Sequence, residues 1–128
     1  MAALQATAIV VAAGRGERFG GAKVLLPLGG KPVLTHVLEA VERAQTVQAV
    51  IIVAGAHVRT AVDALVADGG QSKPCRVING GPRRQDSVAA GLAAVPGDTR
   101  LVAILDGARP LTTGALIDRC VLAAEDGG

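Results

Sequence analysis

Ile9-Val10-Val11-Ala12-Ala13-Gly14-Arg15-Gly16-Glu17-Arg18, with Lys23 close behind, is the stretch that decides the fold. A β-branched run of this kind is the pattern of a strand buried on both faces. It ends abruptly in a glycine-rich loop that carries cations. Glycines let backbone N–H groups approach an anion closely, and the cations balance its charge. Two familiar glycine motifs fail here. The dinucleotide fingerprint needs a third glycine where Phe19 stands. The P-loop spacing is met by Gly16 and Gly21, but Ala22 takes the lysine slot and Lys23-Val24 the Ser/Thr slot. What remains is a strand, Ala-Ala-Gly-x-Gly-x-Arg, a short loop and a lysine.

Outward from that stretch, the 128 residues are one domain's worth, 1–128. Half are hydrophobic but Phe19 is the sole aromatic, so the core is made of Ala, Val, Leu and Ile. A net charge of +2 is too small to imply nucleic-acid binding, and with no Trp or Tyr there is no base-stacking platform. No apolar run reaches membrane-spanning length. Cys75 and Cys120 lack metal-ligand spacing and a nearby His, and read as buried fillers. Met1 runs almost directly into the first strand, which predicts a cytoplasmic, reduced protein.

Periodicity predicts four strand–helix pairs. Strands are expected at 6–12, 48–54, 75–78 and 100–105. A long loop covers 13–30, and Lys31-Pro32 opens the first helix. Val33, Leu34, Val37, Leu38 and Val41 lie on one face of that helix, and Val58, Ala61, Val62, Leu65 and Val66 on one face of the next. Gly69-Gly70 stops the second helix. Val88, Ala89, Leu92 and Val95 mark the apolar face of a third, and Thr113 caps a fourth that runs through Ala124. A βαβαβαβα order predicts a three-layer α/β/α, Rossmann-like parallel sheet. Its crossovers bring the loops after all four strands to one edge, where ligands of open α/β sheets bind.

Three polar loops therefore converge: Gly14–Lys23, Gly80–Ser87 and Asp106–Pro110. Arg18 and Lys23 beside a backbone nest suit a triphosphate. Asp106, the first polar residue after an apolar strand, suits Mg²⁺ that also bridges phosphate oxygens. Gly80-Gly81 lets a flat base approach, with Arg84 and Ser87 near it. This inventory matches nucleotidyl transfer, which needs positioning, charge neutralisation and a metal. Plainer readings stand beside it. Asp106 fits a turn before Gly107. Arg83-Arg84 fits a solvated pair, and Arg109 an ion pair in a loop. His36 and His57 read as structural.

The motifs Ala12-Ala13-Gly14-x-Gly16-x-Arg18, Lys23, Pro27-Leu28-Gly29-Gly30-Lys31-Pro32-Val33-Leu34, Gly80-Gly81-x-x-Arg84-x-x-Ser87-Val88 and Asp106-x-Ala108-Arg109-Pro110 run nearly the length of the chain. Together they resemble the 2-C-methyl-D-erythritol 4-phosphate cytidylyltransferases of the non-mevalonate isoprenoid pathway. The first motif is shared with many sugar nucleotidylyltransferases. The Gly80–Val88 and Asp106–Pro110 motifs are more specific. The resemblance implies the nucleotide-diphospho-sugar transferase fold, in truncated form. It implies transfer of CMP from CTP to a small sugar-alcohol phosphate with release of pyrophosphate, Mg²⁺ as cofactor, and a homodimer. Arg18 and Lys23 take the catalytic roles and neutralise the triphosphate. Ala12, Ala13, Gly14, Gly16, Gly80, Gly81, Arg84 and Ser87 hold the nucleotide. Asp106 holds the metal, and Arg109 lies at the active-site edge. The chain departs from the pattern at Ala22, where the family has proline, and at Leu105, where it has histidine. The family is also nearly twice as long. The further half carries a protruding arm, much of the sugar-phosphate site and a second lysine. Rival readings are a transferase for another acceptor, such as ribitol 5-phosphate, and a non-catalytic nucleotide-binding module.

Overall fold

The computed structural model describes residues 5–13 and 23–127. Four strands form one parallel sheet: β1 (Ala6–Ala12), β4 (Val47–Ala54), β5 (Cys75–Asn79) and β6 (Leu101–Asp106), in the order β5-β4-β1-β6. The chain steps outward from β1 to β4 and β5, then returns to the other side of β1. The strand order thus reverses between β1 and β6, the place where a crevice opens at the C-terminal ends of the strands. A two-stranded hairpin, β2 (Pro27–Leu28) with β3 (Lys31–Pro32), stands apart from the sheet.

Period-two alternation along β1 sorts the core. Ala6, Ala8, Val10 and Ala12 face a large cluster completed by α1 (Val33–Arg43), α2 (Arg59–Asp68) and α4 (Gly114–Gly127). Ile9 and Val11, with Ile51 and Val53 of β4, face α3 (Arg84–Ala94) on the other side. Leu34, Val37, Leu38 and Val41 fill the buried face of α1. Fully burying one such side chain contributes about 1.5–3 kcal/mol. The Lys73 ammonium donates to the carbonyls of Val41 and Ala44, closing the C-terminus of α1 where the dipole favours a cation. Partial burial there lowers the Lys73 pKa, opposed by the carboxylates of Glu42 and Asp118. Asp118 ties α4 to the turn before β4, accepting from the amides of Gln45 and Thr46 and from the Thr46 hydroxyl at 3.0, 2.9 and 2.6 Å.

The architecture agrees with the α/β expectation, and several local expectations need correction. The first helix starts at Val33, not at Lys31-Pro32. Gly29 and Gly30 have φ of 62° and 83°, which turns the chain tightly and pairs Lys31-Pro32 with Pro27-Leu28 as strands. The expected long loop therefore also contains a 3-10 turn, Lys23–Leu25. Helix α3 buries only part of the face expected of it: Val88 and Val95 pack against the Ile9 cluster. Ser87 and Gly91 are buried, Val88 is half-buried, and Ala89 and Leu92 are exposed. The helix sits so close to the sheet that a Cβ on Gly91 would lie 2.6 Å from Ile9 Cγ2. Small residues make that contact, so hydrophobicity alone misses it. Asp106 is the last residue of β6, level with Val11, rather than the first beyond it. Cys120 is exposed rather than a buried filler. Cys75 is half-buried, and desolvation raises its thiol pKa. No helix among the described residues is long and apolar enough to cross a membrane.

Candidate nucleotide site

Each described sheet strand except β1 runs directly into a glycine: Gly55 after β4, Gly80 after β5, Gly107 after β6. Their amides extend the sheet ladder by one rung. Gly55 donates to Ala12 O at 3.5 Å, Gly80 to Ala54 O at 2.9 Å and Gly107 to Val11 O at 2.9 Å. Space for side chains is tight there, and tightest at Gly80. A Cβ on Gly80 would lie 2.7 Å from Ala13 Cβ and 2.7 Å from Ser87 Oγ. One on Gly55 would lie 2.6 Å from His57 Cε1 and 3.2 Å from Ala13 O. The result is a tight cradle in which Ala13, Gly80 and Ser87 meet, although they are far apart in sequence.

Ser87 is fully buried, and its Oγ has no hydrogen-bond partner among the described residues. A buried hydroxyl without a partner costs roughly 1–3 kcal/mol. Such a group, beside bare glycine at a sheet's C-terminal edge, is suited to a ligand that brings the missing partner. Gly81 is pressed against Asp86. The Asp86 carboxylate accepts from the Arg83 amide at 3.2 Å and pairs with the Arg83 guanidinium at 3.1 and 3.2 Å. This caps α3 and fixes the glycine loop before it.

A second group lies across the strand-order reversal. Arg84, the exposed first residue of α3, lines an open groove of about 650 Å³ with Asp106 and Arg109. Asp106 Oδ1 accepts the Ala108 amide at 2.9 Å, and Oδ2 lies 3.9 Å from Arg109 Nε. The turn reading of Asp106 is therefore correct as geometry. One carboxylate oxygen remains only loosely engaged. Arg109 is largely exposed, at 80%. Among the described residues no three or more His, Cys, Asp or Glu gather as a ready-made metal site.

The structure thus groups Ala12, Ala13, Gly80, Gly81 and Ser87 at one place, and Arg84, Asp106 and Arg109 at another on the same sheet edge. Lys23 is exposed in the 3-10 turn. Gly14, Gly16 and Arg18 lie outside the described residues. His36 is structural, as expected: its Nε2 lies 2.6 Å from Leu28 O and holds the hairpin to α1. Sequence reasoning passed over Gly55, which walls the cradle beside Ala13, and read its neighbour there, His57, as structural. The available signal was that strands here end in glycine.

The chain matches the model of the 2-C-methyl-D-erythritol 4-phosphate cytidylyltransferase family over residues 6–128. The chain belongs to that family. A cytidylyltransferase of this name from Synechococcus elongatus is 41% identical over 119 residues, covering 91% of this chain and 51% of its own length. The structure of 4-diphosphocytidyl-2C-methyl-D-erythritol synthase from Anaerococcus prevotii superposes with a TM-score of 0.82 at 24% identity, covering 95% of this chain and 52% of that one. A Mycobacterium tuberculosis protein, crystallised as a complex with manganese, shares the fold at a TM-score of 0.73 and 24% identity, covering 95% of this chain and 60% of that one. The chain spans about half the length of the curated relatives it matches.

Proposed function

We propose that residues 1–128 form the nucleotide-binding half of a CTP-dependent cytidylyltransferase acting on 2-C-methyl-D-erythritol 4-phosphate. The observation that carries this reading is the buried Ser87 hydroxyl, without a partner among the described residues, in a cradle of Ala13 and Gly80, found in a member of this family. A cytosine ring offers both hydrogen-bond donors and acceptors on its edge, and a hydroxyl can pair with either. Glycine backbone lets the flat ring approach.

In the reaction, a phosphate oxygen of the acceptor attacks the α-phosphorus of CTP. The bond from that phosphorus to the bridging oxygen breaks, and pyrophosphate leaves. The attacking phosphate is already anionic near neutral pH, so no general base is required. Ala13, Gly80 and Ser87 hold the cytidine. Arg18 and Lys23, with the glycine loop of Gly14 and Gly16, offset charge on the triphosphate. Arg84 supplies further positive charge to the nucleotide, and Arg109 stands at the active-site edge beside Asp106.

The donor set fits Mg²⁺ of a particular kind. Asp106 is one carboxylate with one oxygen loosely held, which suits an ion taking its other oxygens from phosphates and water. Bound there, Mg²⁺ would neutralise charge on the phosphate oxygens. The Mycobacterium tuberculosis neighbour, crystallised as a complex with manganese, supports a divalent ion as cofactor. A homodimer and a cytoplasmic setting complete the proposal.

The test joins this chain to the second half of the Synechococcus elongatus relative and measures pyrophosphate release. Release is expected with CTP and 2-C-methyl-D-erythritol 4-phosphate. Equal turnover with ribitol 5-phosphate would show that the joined half, which carries much of the sugar-phosphate site, does not confine the reaction to one acceptor. A chimera that binds CTP but turns over neither would favour a non-catalytic module.

A further inference from the structure

Gly55 and Gly80 wall the cradle from two neighbouring strands, and both press on Ala13. Gly55 leads through a turn into α2, whose first residue is Arg59. Gly80 follows Asn79, the last residue of β5. In the sheet, β5 pairs only with β4. Its C-terminal end is therefore held by the ladder on one side, and strand ends of that kind open easily. The last rung there is the Gly80 amide on Ala54 O at 2.9 Å.

A side-chain tie stands beside that rung. Arg59 Nη1 donates to Asn79 Oδ1 at 2.7 Å. Arg59 Nε donates to both carboxylate oxygens of Asp63, one turn along α2, at 3.1 Å. The guanidinium is planar and rigid, so engaging Nε at Asp63 aims Nη1 at Asn79. The turn that carries Arg59 is pinned as well: the Val58 amide donates to Gly55 O at 3.0 Å, and the Val62 amide to Val58 O at 2.9 Å. Arg59 thus joins the segment after Gly55 to the residue before Gly80. The Arg59 and Asp63 side chains are 34% and 50% exposed, a setting in which an ion pair adds little to stability. Its leverage is geometric, because a recognition site has to be held to within about 0.5 Å.

We propose that Arg59 is a positioning residue for the base: through Asn79 it holds the Gly80 backbone in the cradle with Ala13 and Ser87, and so sets the discrimination of cytosine from uracil. The inference rests on the cytidine-binding reading above. Cytosine presents an amino donor where uracil presents a carbonyl acceptor. Telling them apart demands polar partners at fixed places, whereas a triphosphate is held chiefly by charge. Arg59 acts through Asn79 and does not itself touch the nucleotide.

The experiment compares this chain with Asn79→Ala, Arg59→Ala, both substitutions together, and Asn79→Asp. Amide hydrogen exchange is read first, without nucleotide. Exchange at Gly80 should be about tenfold faster in each Ala variant and no faster again in the double one, with the buried centre of β4 unchanged. Asn79→Asp keeps an oxygen for Arg59 and should keep the native rate. Calorimetric titrations then use Mg²⁺ with CTP, UTP or inorganic triphosphate. The preference for CTP over UTP should fall about tenfold in each Ala variant, while triphosphate affinity stays the same and Asn79→Asp stays near native. An unchanged CTP preference in Asn79→Ala overturns the proposal, and if Arg59→Ala alone loses it, the guanidinium meets the nucleotide directly. Unchanged Gly80 exchange in the Ala variants overturns it as well. Equal affinity of the native chain for CTP and UTP overturns the cytidine reading and the discrimination with it, while Gly80 exchange still decides whether Arg59 holds the loop.

Discussion

The cradle at Ala13, Gly80 and Ser87 and the edge at β6 sit on the same sheet but are finished to different degrees. The cradle is packed so tightly that no Cβ fits on Gly80, and Ser87 is fully buried. The β6 end is open: Ile104 is half in water, and Asp106 and Arg109 meet at only 3.9 Å. Tight packing preorganises recognition, whereas a loose charge pair leaves geometry to be set by something else. On the proposed function, the contrast predicts that this chain holds the base firmly and the reacting groups weakly.

The largest expected effect breaks the reaction and spares the fold. In the chimera with a second half, Arg18→Ala and Lys23→Ala should each lower kcat by about a hundredfold or more, the usual cost of losing one charge-stabilising group. Lys23 is exposed, so its loss should leave thermal stability almost unchanged. Near-normal turnover, or a loss explained by unfolding, would remove the assigned role.

Next come two substitutions, one at each end of the comparison. Gly80→Ala forces a Cβ to within 2.7 Å of Ala13 and Ser87. It should cost about 1–3 kcal/mol in chemical denaturation and weaken CTP binding in parallel. Asp106→Asn should leave denaturation unchanged and flatten the dependence of CTP affinity on Mg²⁺ concentration. Superimposable Mg²⁺ titrations for the native and Asn proteins would show that Asp106 serves only the turn to Ala108.

These outcomes bear on how much the residues revealed before the fold was known. The parallel sheet was legible because Ile9–Val11, Val50–Val53 and Leu101–Leu105 are apolar runs separated by helical periodicity. The convergence of the Gly80 and Asp106 loops followed from topology. The burial of α3 was not legible. It rests on Ser87 and Gly91, whose smallness matters only once Ile9 and Val53 are opposite them. The hairpin at Lys31-Pro32 was missed because proline also suits a helix start, and the two positive-φ glycines decided otherwise. The exposure of Cys120 and Ile104 depends on what lies beside β6, which local patterns do not encode.

A smaller effect concerns the support behind both regions. For Asp118, burial works against ionisation, but hydrogen bonds from the Thr46 hydroxyl and amide and the Gln45 amide outweigh it, and the pKa is lowered. A carboxyl depressed on folding contributes stability above its unfolded pKa, near 3.9, and loses it as pH falls through the folded value. Asp118→Ala should therefore cost about 1–2 kcal/mol at pH 7. The gap between the two proteins should shrink below about pH 4. A gap independent of pH would assign the loss to packing alone.

The central claim is that the base-recognising part of the site is complete within this chain. Calorimetric titration with CTP, UTP, ATP and GTP in the presence of Mg²⁺ tests it directly, on the native protein and on Ser87→Ala. Tightest binding of CTP is predicted, with a loss of about tenfold in the Ala protein, worth one hydrogen bond of roughly 1–1.5 kcal/mol. The Ala protein should be no less stable, because the hydroxyl it removes has no partner among the described residues. Equal affinity for all four nucleotides, unchanged by the substitution, would contradict the account.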